Sequence, residues 1–159
     1  MILYLDSSAI VKQYVVELGS SEVFDAVGQS EMNGTAVASR VEVVAAFRKA
    51  VRTGVLSQKE AKILVRNFNR DWHSLVRTRV TERLVLHASD LAWVHGLRGY
   101  DAIHLASAAA WQQALGQMVT IATFDQALWS AARMIGLTAF PFDLPTLIKT
   151  WRRLGARSG

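Results

Sequence analysis

The chain has no cysteine, two prolines among its 159 residues and no long uninterrupted apolar run. Each shortage excludes something. Without thiols there is no disulfide scaffold, no Cys-ligated zinc or iron–sulfur cluster and no thiol nucleophile. The most apolar stretch, Ala102–Ala110, contains His104 and Ser107 and is followed by Gln112 and Gln113. A membrane span shows roughly 18 continuous apolar residues, so no membrane partner is expected. The opening Met1–Asp6 lacks a basic segment and reaches a carboxylate at Asp6, which reads as a strand rather than a signal peptide and implies a cytoplasmic protein. Asn33-Gly34-Thr35 fits a glycosylation sequon but reads as a turn. A G-x-S-x-G elbow, a Walker loop, G-x-G-x-x-G and H-E-x-x-H are all missing, which removes several common enzyme classes.

What remains is rich in core material. Hydrophobic residues make up 51% and charged residues 19%, with mean hydropathy +0.18. A chain of this length buries roughly 68–70% of its unfolded surface. With no linker, repeat or low-complexity run, a single domain over residues 1–159 is expected, ending in a basic tail at about 152–159. Eighteen Lys and Arg against thirteen Asp and Glu give a net charge of +5. That balance points to polyanionic partners, nucleic acid first and an acidic membrane second, with the plainer reading of charge as an aid to solubility standing equally beside it.

Apolar runs at Ile2–Leu5, Thr35–Ala38, Val76–Val80, Val119–Thr123 and Leu137–Phe140 lack period-2 alternation and read as buried strands. Helices are expected between them: Ala9–Val16 capped by Ser7 or Ser8, a short one from Ser20 or Ser21 to Gly28, and Ser39–Arg52 capped by Ser39. Further helices are expected from the capping box Ser57-Gln58-Lys59-Glu60 to about Leu75, from Thr81 to His95, over Asp101–Leu115 and Gln126–Ile135, and after Asp143-Leu144-Pro145. Strands alternating with helices predict an α/β fold, a parallel sheet of four to five strands covered by helices on both faces. Ligands in such folds bind beyond the carboxyl ends of the strands.

Four acids are expected at that rim. Asp6 ends the first strand, Glu42 lies in the first turn after the second, Asp101 opens a helix after the loop Gly96–Tyr100, and Asp125 follows the fourth strand. Singly each has a plain reading as a helix cap, and Ser39 with Glu42 fits a capping box. Together they would repel, at about 4 kcal/mol per pair 4 Å apart with an effective dielectric near 20, unless some take up protons or a cation sits among them. Hard oxygen donors without thiolates select Mg²⁺ or Mn²⁺. With those four set aside, the rest of the chain carries 18 Lys and Arg against 9 Asp and Glu, or +9. A basic exterior around an acidic cleft suits a phosphodiester backbone cut with divalent ions. Candidate RNA contacts are Arg98 beside Asp101, Arg40 and Arg48 on the helix of Glu42, and Lys62 and Arg66 in the stripe Lys59, Lys62, Arg66, Arg70. His104, one turn after Asp101, reads as a satisfied core residue, and the five Trp read as core or partner anchors.

These motifs resemble those of the PIN-domain nucleases, more narrowly the VapC-type toxins of toxin–antitoxin pairs. Leu5-Asp6-Ser7-Ser8-Ala9-Ile10-Val11-Lys12 is similar to the first acidic motif and Ser39-Arg40-Val41-Glu42 to the second. Gly99-Tyr100-Asp101-Ala102-Ile103-His104-Leu105-Ala106 is similar to the third, and Thr123-Phe124-Asp125 to the fourth. The resemblance implies a PIN-like three-layer fold and metal-dependent RNA cleavage by the toxin of a pair, with a homodimer and a cognate antitoxin as partners. It implies Asp6 and Asp101 as principal Mg²⁺ (or Mn²⁺) ligands, Glu42 and Asp125 completing the catalytic cluster, and Ser7 and Thr123 as hydroxyls supporting the carboxylates. Two other readings stand beside it. A phosphoaspartyl phosphatase would want a second Asp where Ser8 stands, and a non-catalytic nucleic-acid-binding module would use the acids as caps alone.

Overall fold

A computed structural model describes residues 1–155. Residues 156–159 of the expected basic tail lie outside the described residues; Arg152 and Arg153 fall in the last turn of the C-terminal helix.

Five strands, β1 (Ile2–Leu5), β2 (Met32–Ala36), β3 (Val76–Thr78), β4 (Val119–Ala122) and β5 (Thr138–Phe140), form one sheet in the order β3-β2-β1-β4-β5. Every pairing is parallel, with Leu5 opposite Ala122 and Ile2 opposite Met32. Both faces are covered, so β1 and β4 are buried along their length. Alternate residues of β1 feed two cores. Leu3 and Leu5 pack with Ile10, Val23, Val43, Phe47, Phe68 and Trp72 from the early helices. Ile2 and Tyr4 pack with Leu91, Leu105, Trp111, Leu128 and Leu144 from the later ones. The result is the three-layer α/β arrangement expected from the sequence.

The early helices are α1 (Ser7–Val11), α2 (Ser20–Gln29), α3 (Ser39–Arg52) and α4 (Gln58–Asp71); the later ones are α5 (Glu82–His95), α6 (Gly99–Leu115), α7 (Gln126–Met134) and α8 (Leu144–Gly155). The capping box at Ser57 and Glu60 forms, and Thr81 caps α5. Other boundaries differ from expectation. The first helix is one short turn capped by Asp6 rather than a helix over Ala9–Val16 capped by a serine. The second strand starts at Met32 rather than Thr35, because it pairs with β1 from Ile2 onward. Ser39 does not cap α3: its buried hydroxyl bonds Thr35 Oγ1 at 2.6 Å, and no side chain caps that helix. Trp72, Trp111 and Trp129 are core residues, Trp151 stacks on Phe124, and Trp93 is 91% exposed.

The chain steps outward from β1 through β2 to β3, then crosses back to place β4 on the other side of β1. The sheet's switch point therefore lies between β1 and β4, where the carboxyl ends open a crevice.

Gly34 is fixed by a close approach. A Cβ on Gly34 of β2 would sit 2.6 Å from the Trp111 ring, which itself packs edge-on against Tyr4. Gly34→Ala is expected to cost about 1–3 kcal/mol by overpacking, lowering the thermal midpoint by roughly 2–12 °C; an unchanged midpoint would contradict this packing.

Candidate active site

Asp6 follows β1 at the switch point. Its N–H donates to Ala122 O of β4 at 3.1 Å, so the backbone itself aims the side chain into the crevice. Oδ1 accepts from Ala9 N at 2.8 Å and Ser8 Oγ at 2.7 Å, which caps α1. Oδ2 accepts from Thr123 Oγ1 at 2.6 Å. The residue is 4% exposed. Burial pushes its carboxyl above the ordinary range, and nearby His104 with the bonds from Thr123, Ala9 and Ser8 counters this only in part.

Glu42 enters from the first turn of α3. Ser7 Oγ donates to its Oε2 at 2.6 Å, and His104 Nε2 lies 2.8 Å from the same oxygen. Among the described residues, Oε1 has no hydrogen-bond partner. Burial alone would raise this carboxyl, but His104, Ser7 and the charge of Arg98 outweigh it and hold Glu42 below its ordinary value. The capping box expected with Ser39 does not form.

Asp101 lies in the first turn of α6 and Asp125 caps α7, accepting from Ala127 N at 2.9 Å and Leu128 N at 3.0 Å. Arg98 joins them: its Nε donates to Asp101 Oδ2 at 2.8 Å and its Nη2 to Asp125 Oδ2 at 2.9 Å. The guanidinium side chain is 77% exposed. The carboxylates it meets are less open, with side chains 16% exposed at Asp101 and 29% at Asp125.

Asp6, Glu42, Asp101 and Asp125 thus line one cleft of about 300 Å³, together with Ser7, Ser8, Arg98, His104 and Phe124. Asp6 and Asp125 also act as caps; Glu42 and Asp101 cap nothing. Thr123, also expected near the carboxylates, is buried beneath Asp6 and accepts from Asp125 N at 3.1 Å. The donor set is carboxylate oxygen; among the described residues, Glu42 and Asp101 each keep an oxygen without a hydrogen bond, while Asp6 bears a desolvation penalty that a cation would relieve. In kind, these residues fit a hard divalent ion. In spacing, no three His, Asp or Glu side chains among the described residues stand close enough to hold one, and Arg98 provides the positive charge between Asp101 and Asp125.

The other basic candidates lie elsewhere. Arg40 reaches Asn69 Oδ1 at 2.9 Å and sits over the Trp72 ring. Arg48, Lys62 and Arg66 border an apolar groove of about 430 Å³ between α3 and α4, floored by Val44, Phe47 and Val65. His104 is buried and satisfied, as expected from the sequence, but it also lines the acidic cleft, so the core assignment was incomplete. Its i,i+3 spacing from Asp101 was the available signal.

No family model matches the chain. It is 33% identical over 149 residues to Ribonuclease VapC45 of Mycobacterium tuberculosis, a match covering 90% of this chain and 97% of that protein. The chain belongs to the VapC-type ribonucleases of the PIN-domain family. Solved structures share the fold of this VapC-type chain. FitAcB from Neisseria gonorrhoeae matches with a TM-score of 0.61 at 16% identity, over 87% of this chain and 96% of that one. A toxin–antitoxin complex from Klebsiella pneumoniae matches with a TM-score of 0.54 at 13% identity, over 79% and 87%. No helix among the described residues of this VapC-type chain is long and apolar enough to cross a membrane.

Because Asp6 holds its proton more tightly folded than unfolded, stability falls as pH rises from the ordinary carboxylate value of about 4 through the raised folded value. Asp6→Asn, which can still cap α1, is expected to melt higher than wild type at pH 7 in EDTA, with the gap closing towards pH 4. A lower midpoint at pH 7, or a gap independent of pH, would contradict the assigned burial penalty.

Proposed function

We propose that this protein is a Mg²⁺- or Mn²⁺-dependent endoribonuclease, the toxin of a toxin–antitoxin pair, hydrolysing RNA phosphodiesters in the acidic cleft. The observation that carries the reading is the meeting of four carboxylates, delivered by four separate segments, at the switch point of the sheet in an otherwise basic protein. The ribonuclease name of its relative supports the reaction, and the toxin–antitoxin neighbour supports an antitoxin partner. A homodimer is part of the same proposal.

Asp6, Glu42 and Asp101 would hold the ion, with Asp125 at the margin, after drawing in from a spacing at which no three of them among the described residues are close enough to do so. A bound divalent ion supplies positive charge against the phosphodiester and activates water for attack. The rest is done by the chain. Thr123 and Ser8 fix the Asp6 carboxylate, and Ser7 fixes one oxygen of Glu42. Arg98, being exposed, exchanges its carboxylate partners for a backbone phosphate, to which a guanidinium can donate two parallel bonds. Arg40, Arg48, Lys62 and Arg66 add to the positive field that draws RNA in.

A phosphoaspartyl phosphatase gains nothing from the geometry: Ser8, at the position of its second Asp, donates to Asp6 and offers no acid. The capping roles of Asp6 and Asp125 favour a non-catalytic binding module, but that module has no use for Glu42 and Asp101.

Purified protein free of any partner is expected to cut RNA with Mg²⁺ or Mn²⁺ and to stop in EDTA, and Asp6→Asn and Asp101→Asn are each expected to abolish cleavage while remaining folded. Wild-type rates in either variant would contradict the reading. Arg98→Ala in the Asp6→Asn background is expected to weaken single-stranded RNA binding and to flatten the log–log salt dependence by about 0.7, the loss of one phosphate contact; an unchanged slope would remove Arg98 from the substrate.

A further inference from the structure

Behind Glu42 runs a line of buried polar groups that the reaction as described does not use. Tyr4, on the central strand, is fully buried, and its hydroxyl lies 3.0 Å from His104 Nδ1. His104, 2% exposed, turns its other ring nitrogen towards Glu42 Oε2 at 2.8 Å and Ser7 Oγ at 3.3 Å. We propose that His104 is a positioning residue that fixes the Glu42 carboxylate in the cleft, and that Tyr4 fixes His104. The inference rests on the nuclease reading above and deepens it.

The chemistry follows from which atoms carry hydrogen. Tyr4 is a fully buried phenol with one hydrogen to give, and its hydroxyl lies within bonding distance of His104 Nδ1. Given to Nδ1, that hydrogen leaves Nε2 as the N–H and directs it at Glu42 Oε2. Ser7 donates to the same oxygen. Two donors on one oxygen lock the carboxylate's rotation and leave Oε1, the oxygen without a partner, for the cleft. The tether is rigid at its base, since Tyr4 packs edge-on against both His104 and Trp111 within the sheet core. Partners behind a ligating side chain act in this way on the ligand's orientation and basicity, and their loss typically costs 10–100-fold in metal affinity or activity. A histidine that merely filled the core would have no such effect.

The test measures RNA cleavage, Mn²⁺ binding by calorimetry and thermal midpoint for five variants. His104→Leu strands the Tyr4 hydroxyl in the core and risks misfolding, so the Tyr4→Phe/His104→Leu double variant, which removes both polar partners, is its folding-safe counterpart. Both are expected to lose about 10–100-fold in kcat and in Mn²⁺ affinity, with KM for RNA little changed. His104→Gln, which keeps an N–H of similar reach, is expected to recover most of both. Tyr4→Phe alone is expected to lower kcat and to disturb the Nε2–H tautomer of His104 in ¹⁵N NMR, yet to be silent in the His104→Gln background, where there is no tautomer to fix. A folded double variant with wild-type kcat and Mn²⁺ affinity would overturn the inference and leave the nuclease intact. A wild type that cuts no RNA under any divalent ion would instead overturn the reading beneath it.

Discussion

A carboxylate buried at the end of the central strand is the constraint around which the rest of this structure is organised. Asp6 is drawn out of water by the same parallel pairing that makes the sheet: β1 lies between β2 and β4, and the Asp6 amide is committed to Ala122. Burial of an ionisable group without compensation is costly, and the surrounding segments each contribute a donor. Ser8 and the Ala9 amide come from α1, Thr123 from the turn after β4, and Thr123 in turn receives the Asp125 amide. One side chain therefore ties β1, α1 and the β4–α7 turn together and leaves a site with an unmet demand for positive charge.

The neighbouring acids answer to the same electrostatics in different ways. Asp125 is held by the amides at the start of α7, and Asp101 shares Arg98 with it. Glu42 keeps its charge through Ser7 and His104 despite partial burial. Arg98 is the exposed member of the set, and its guanidinium pairs with both Asp101 and Asp125. The protein can thus carry four acids in one crevice and remain folded.

Much of this was legible in the sequence because it follows from local rules. Apolar runs without alternation mark buried parallel strands, and the acids at Asp6, Glu42, Asp101 and Asp125 sit where strand ends and helix starts must converge on one rim. What escaped was decided by tertiary pairing. Ser39 has the look of a cap, yet its hydroxyl is taken by Thr35 across a buried contact. The stripe containing Lys62 and Arg66 gave no sign of the apolar groove between α3 and α4 that those residues also border. His104 read as core because apolar neighbours surround it along the helix; its partners Tyr4 and Glu42 are 100 and 62 residues away. No periodicity reports a hydrogen bond over that separation.

The central claim is that these carboxylates together form a binding place for a divalent ion, and anomalous diffraction from crystals soaked in Mn²⁺ addresses it directly. The account expects a manganese peak in the cleft, bonded to oxygens of Asp6, Glu42 and Asp101, with the Arg98 bridge to Asp101 released. A fully soaked crystal with no peak there, or with manganese bound at another place and the Arg98 bridge intact, would contradict it.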